Sequence, residues 1–165
     1  MHEPKDIVIN TGPLLALIAS FNDLTILNKL YKRVFVSREV ILEIEAGGSS
    51  GFGVDVFNKS NFLDKSTALL SISPFLQNAL DLGEASVIQL ALNNNIQTVC
   101  IDEAMGRRVA RLNNLQLTGS IGMLIHAKHN GFNFSMTEAI ENMKSHGIYL
   151  SRNLIEYALK QVNEI

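Results

Sequence analysis

Apolar stretches of two kinds alternate along this chain. Short runs dense in valine, isoleucine and leucine read as buried strands, at residues 7–10, 34–36, 69–73, 97–102 and 115–118. Between and after them, apolar residues recur at helical spacing. Helices are predicted from about Pro13, then over 24–31, 38–46 and 55–63, from Gly83 to the asparagine run at 93–95, and over 103–113, 120–129, 135–146 and 151–164. Local signals agree with this division. Proline suits the first turn at Pro13, and Ser37 is placed to cap the helix that follows it. Ser135-Met136-Thr137-Glu138 reads as a capping box, and Gly147 as the stop of that helix. Leu154, Ile155, Ala158, Leu159 and Val162 make one stripe, so the last helix is expected to pack on the body. The glycine-rich stretch 47–53 is the one break, a loop placed to gate a crevice or to be a tolerated insertion.

Strands alternating with helices imply a mostly parallel sheet covered on both faces, a three-layer α/β/α sandwich. At 165 residues the chain suits one domain spanning 1–165. An apolar fraction of 47% with 3 prolines argues for a packed core rather than disorder. The single cysteine, Cys100, excludes an internal disulfide framework and a cysteine-based zinc cluster, and reads as a small buried hydrophobe. No apolar run approaches the roughly 18 residues of a membrane span. Glu3 and Asp6 spoil the basic start that a signal peptide would need, so a cytoplasmic location is expected. With 14 basic and 16 acidic residues, any nucleic-acid contact must rest on a local patch.

The candidate chemistry lies where strands end. In a parallel sheet the residues leaving the carboxyl edge converge on one crevice, and Asn10 and Asp102 leave two of the predicted strands. Glu84 opens the helix after Gly83. Glu43 sits at the edge of the buried face set by Val40, Ile41 and Ile44. Each has a plainer role: Asn10 and Asp102 as helix caps, Glu84 as a charge at a helix dipole, Glu43 as a solvated residue one turn after Glu39. Together, four oxygen-bearing side chains on four elements suit a hard cation such as Mg²⁺ or Mn²⁺.

Four motifs come in order: Asn10-Thr11-Gly12-Pro13-Leu14, Val40-Ile41-Leu42-Glu43, Leu82-Gly83-Glu84-Ala85 and Ile101-Asp102-Glu103. Arg107-Arg108-Val109-Ala110 and Leu117-Thr118-Gly119-Ser120 follow. In this the chain resembles the PIN-domain superfamily, and within it the VapC-like toxin branch. The resemblance implies an endoribonuclease with a parallel α/β/α fold, a divalent metal, a cognate antitoxin protein and a homodimer. Its four acids fall on Asn10, Glu43, Glu84 and Asp102, with Glu103 and Asp81 as weaker ligands. Asn10 is the departure, since aspartate is usual there. Losing one unit charge about 4 Å from a cation removes about 4 kcal/mol at an effective dielectric of 20, partly offset by the cheaper desolvation of an amide. Metal held by Glu43, Glu84 and Asp102 would activate water for attack on an RNA phosphodiester. Arg107 and Arg111, one turn apart, would grip phosphate together with Thr11, while Lys128 and His129 would add positive potential and Arg108 would be solvated. His126 and His129 lack companions for a metal site. The competing reading is a catalytically silent PIN-like module that binds RNA or protein through the same crevice. A nucleotide binder is disfavoured because Thr11-Gly12-Pro13 lacks the glycine pattern of a phosphate loop.

Overall fold

A computed structural model describes residues 3–47 and 51–165. Five strands run in chain order: β1 (Ile7–Ile9), β2 (Val34–Val36), β3 (Asp64–Lys65), β4 (Thr98–Cys100) and β5 (Gln116–Thr118). They form one all-parallel sheet in the order β3-β2-β1-β4-β5. Ten helices flank it among the described residues. They are α1 (Thr11–Phe21), α2 (Thr25–Leu30), α3 (Arg38–Glu45), α4 (Val54–Lys59), α5 (Pro74–Ala79), α6 (Leu82–Asn93), α7 (Ala104–Leu112), α8 (Ser120–His129), α9 (Met136–Ser145) and α10 (Arg152–Gln161). The result is the expected α/β/α sandwich. Ile7, Val8 and Ile9 are fully enclosed, as the central strand of a sheet covered on both faces must be. No helix of the described residues is long and apolar enough to cross a membrane.

The pattern misplaced one strand. Residues 69–73 alternate as a strand should, with Ile72 buried and Leu69 exposed, yet they pair with nothing. Side chains take the place of a ladder: Leu70 N–H donates to Glu39 Oε2 at 2.8 Å, and Ser73 N–H donates to Gln89 Oε1 at 3.0 Å. The edge position belongs instead to the polar pair Asp64–Lys65, matched in register with Phe35 and Val36. Arg33 anchors Asp64 across that edge. Helix α5, begun by Ser73 as cap and Pro74 at the first turn, escaped the reading because it is short. Of the glycine-rich stretch, residues 48–50, on which the suggested gating role falls, lie outside the described residues.

The C-terminal helices are clamped by a single carboxylate. Ser135 Oγ accepts from Glu138 N–H at 3.1 Å, as the capping box requires, but Glu138 gives no return bond. Glu164 instead takes the next two free amides: Oε2 accepts from Met136 N–H at 2.7 Å, and Oε1 accepts from Thr137 N–H at 2.9 Å and from the Thr137 hydroxyl at 2.8 Å. Lys128 lies 3.7 Å away and also donates to Phe134 O. His129 bonds to Gln161 O. Lys128 and His129 therefore fasten the C-terminal segment, a correction to their expected place near the crevice. Ala158 on α10 is fully buried, as the apolar stripe required.

Candidate active site

The strand order reverses between β1 and β4. The chain moves outward through β2 and β3, then returns to pair β4 with the other side of β1. Residues leaving the carboxyl ends of those two strands open into one crevice. Asn10 N–H donates to Cys100 O at 3.0 Å, which keeps the two strands together up to that edge.

Three carboxylates meet there. One oxygen each of Asp81, Glu84 and Glu103 lie within 4.8 Å of one another. Local structure puts each in place. Asp81 caps α6 by accepting Glu84 N–H at 2.9 Å, so the two acids share the first turn. Glu84 is only 4% exposed. Glu103 joins them because β4 ends at Cys100, and strand alternation no longer governs residues beyond it. Burial pushes the Glu84 carboxyl up to about 8, and its hydrogen bonds and charge interactions with Asp81 and Glu103 push the same way. Glu43 is also raised. Desolvation is the main cause, the Thr11 hydroxyl pulls it back, and the charges of Asp81 and Glu103 add to the rise.

Two buried oxygens here have no partner. Glu84 Oε2 and Asn10 Oδ1 accept nothing from the protein, whereas the Thr11 hydroxyl turns toward Glu43. A buried unsatisfied oxygen costs about 1–3 kcal/mol, so two beside one crevice is a local expense that a ligand would recover. The donor set is all oxygen, with carboxylates in the majority, which is what a hard divalent cation takes. Two glycines make room for the carboxylates themselves. A Cβ on Gly106 would collide with Glu84 Oε2 and stand 2.9 Å from Ile101 Cγ2. A Cβ on Gly83 would collide with Glu43 Oε2 and lie 3.7 Å from Asn10 Oδ1. Glu43 and Asn10 thus approach the same point on α6, next to the acidic trio.

Asp102 stands apart from that trio. Its Oδ1 accepts Ser120 N–H at 2.7 Å, so it caps α8 rather than the helix directly after it. Gly119 leaves the space, for a Cβ there would be 2.7 Å from Asp102 Oδ1 and 3.0 Å from Arg107 Nη1. Arg107 is held by its own bond from Nη1 to Ile101 O at 2.8 Å. Asp102, Glu103 and Arg107 line one crevice with Gly12; Arg111 is exposed and does not line it. The acids singled out from sequence therefore fall into two groups: Glu43, Glu84 and Asn10 with Asp81 and Glu103, and Asp102 with Arg107.

Sequence reasoning missed the hydroxyl chain that sets α3 against α6. Ser37 Oγ accepts Val40 N–H at 3.1 Å and lies 2.7 Å from Ser86 Oγ, which donates to Gly83 O at 2.6 Å. With the Ser86 proton committed to Gly83, Ser37 must donate to Ser86. Both serines are fully buried. The chain joins the helix of Glu43 to the first turn of the helix of Glu84. The only signal in the sequence was a serine at an apolar position of the 82–93 helix.

An all-parallel sandwich with a carboxylate crevice at its reversal point defines the class: an α/β/α domain whose acidic cluster is compatible with a divalent metal. More narrowly, the chain belongs to the PIN domain family, whose model matches residues 6–164. PIN domains are generally nucleases. No curated protein matches the chain.

Proposed function

We propose that the chain is a metal-dependent endoribonuclease that acts as the toxin of a type II toxin–antitoxin pair. The observation that carries the nuclease reading is the convergence of Asp81, Glu84 and Glu103, with Glu84 Oε2 buried and unpartnered, at the switch point of a PIN domain. These three would hold Mg²⁺ or Mn²⁺, with Glu43 and the Asn10 amide at its margin. Such an ion neutralises phosphate charge and makes water a better nucleophile. The chain's own groups do the rest. Glu43, raised but outside the tight trio, is placed to take a proton from the attacking water. Thr11 offers a hydroxyl beside it. Arg107 spends Nη1 on Ile101 O and keeps its other guanidinium donors for a phosphate, with Arg111 reinforcing the field one turn on. Asp102, fixed by Ser120 N–H, serves as a further ligand through its second oxygen or orients Arg107. The toxin role, the cognate antitoxin, the homodimer and the cytoplasmic location draw their support from the resemblance to the VapC-like branch.

The second reading, a silent RNA- or protein-binding module, is favoured by one observation. Asn10 withholds a charge from a crevice where Glu84 already holds its proton up to about 8. Labelled RNA incubated with Mg²⁺ or Mn²⁺ separates the two. Cleavage by the wild type, lost in Glu84→Gln, is the expected result. Cleavage surviving in Glu84→Gln would mark a contaminant, and none in the wild type would leave the silent module. Asp102→Ala then assigns that residue: lost metal affinity makes it a ligand, whereas a raised KM alone makes it an anchor for Arg107.

A further inference from the structure

Past Asp102 and Glu103 the crevice continues along the C-terminal segment, to a volume of about 730 Å³, and its far wall is aromatic. Tyr149 is 87% exposed and Tyr157 is 55% exposed, and both line it. Their presentation is built into the backbone. Gly147, at φ 80°, ends α9 in a left-handed turn, and Ile148 N–H closes it onto Met143 O at 3.1 Å. Ile148 and Leu150 pack against the core, so the residue between them faces outward. Ser151 then caps α10 through Leu154 N–H at 3.1 Å, and Tyr157 follows Leu154 by three on the same helix face. Neither tyrosine ring stacks on another ring, and neither phenol has a hydrogen-bond partner, among the described residues. Gly12 lines the same trough with Leu15, Leu117 and Ile121, and nothing lies within 4 Å of a Cβ built on it, so there is open room there.

Two exposed rings, an apolar lining and a tethered guanidinium in one trough match a ligand that repeats a flat base and a phosphate. Only unpaired strands offer both, because a duplex hides the faces of its bases. We propose that Tyr149 and Tyr157 form a stacking platform for a base of single-stranded RNA, with the adjoining phosphate on Arg107 and the backbone leading into the acidic crevice. The choice of RNA as occupant rests on the nuclease reading; the platform itself rests on the rings and Arg107.

The chain has no tryptophan and three tyrosines, so wild-type fluorescence reports on these rings together with Tyr31, while binding of every variant is read by the anisotropy of a dye carried on the RNA. A ten-nucleotide single-stranded RNA, added with Ca²⁺ in place of a catalytic metal, is expected to bind and quench that fluorescence. Tyr149→Ala with Tyr157→Ala should weaken binding about ten- to a hundredfold, and the paired Tyr→Phe changes should restore it. An abasic strand of equal length should bind the wild type as weakly as the intact strand binds the double alanine variant. Equal affinity of wild type and double alanine variant for the RNA overturns the platform. So does equal binding of the abasic strand, no binding by the wild type, or a double variant that changes only the mass of the oligomer. Cleavage in Mg²⁺ or Mn²⁺ is read separately, so the platform can fail while the nuclease reading stands, and the reverse.

Discussion

Two glutamates of this chain have opposite fates. Glu164 collects backbone and hydroxyl donors from the start of α9 and a nearby lysine. Desolvation opposes its charge, but the bonds from Thr137 and Met136 and the Lys128 charge outweigh it and pull the carboxyl down to about 2. Glu84 sits among other carboxylates with one buried oxygen unpartnered, and is pushed up to about 8. Glu164 is saturated by the fold, whereas Glu84 is left short of partners among like charges. An unpartnered oxygen alone does not mark a site, since Glu39, which holds the Leu70 amide, also has one. What separates crevice from clamp is that oxygen together with the neighbouring carboxylates Asp81 and Glu103.

Removing the charge at the crevice should break the contrast most strongly. Glu84→Gln takes a unit charge from beside the cation, about 4 kcal/mol at an effective dielectric of 20, so Mn²⁺ affinity should fall about a thousandfold by titration calorimetry. The matching loss of RNA cleavage should not be accompanied by lower stability of the metal-free protein.

The two glutamates also predict opposite pH limbs. Glu84, raised in the folded state, contributes stability that is complete below the unfolded value of 4.5 and is lost as pH rises toward about 8. Glu164, lowered, contributes stability that is complete above 4.5 and is lost as pH falls toward about 2. Urea unfolding in EDTA across that range should therefore show a fall at each end. Glu84→Gln should flatten the alkaline limb, and saturating Mn²⁺ should reverse it in the wild type. Glu164→Gln should flatten the acid limb and lower stability at pH 7 by about 1–2 kcal/mol, with Mn²⁺ affinity unchanged. A Glu164 variant that lost metal would erase the distinction between the two regions.

Ser86→Ala tests what holds the crevice in shape. It leaves the Ser37 proton without its acceptor in the core, while Gly83 O keeps its place in the helix, and should cost about 1–2 kcal/mol. Metal affinity should drop less than in Glu84→Gln, because every ligand remains and only the α3–α6 alignment loosens.

How much of this was written in the pattern of residues depends on whether the cause was local. The sheet was legible because Ile7, Val8, Val99 and their neighbours are apolar in short runs. The false strand at 69–73 shows the limit: its alternation is real, but Glu39 and Gln89, distant in sequence, satisfy its amides. The same holds at the site. Asn10, Glu43 and Glu84 could be placed from strand ends and helix faces. The central position of Glu103 could not, because it depends on β4 ending two residues before Asp102 does its capping elsewhere. Asp81 was expected only as a weaker ligand three residues before Glu84; it caps α6, and the same carboxylate faces Glu84 and Glu103.

Asn10 gives the smallest and most informative test. Its Oδ1 is buried without a partner and points at the gap that Gly83 leaves for Glu43. Aspartate there would add a charge to a crevice that already repels itself. Two effects then oppose each other. With metal absent, the extra carboxylate should destabilise the fold at pH 8 and raise Glu84 and Glu43 further. With metal present, it should gain the Coulomb energy that the amide forgoes, less its own desolvation. Asn10→Asp is therefore expected to unfold more easily in EDTA than the wild type and to gain more stability on adding Mn²⁺. Its net affinity should rise by about tenfold or less, since the two terms nearly cancel. If neither the metal-free stability nor the Mn²⁺ affinity moves, Asn10 does not share the crevice electrostatically with Glu84. Its unpartnered oxygen would then belong with the caps of the fold, on the Glu164 side of the comparison.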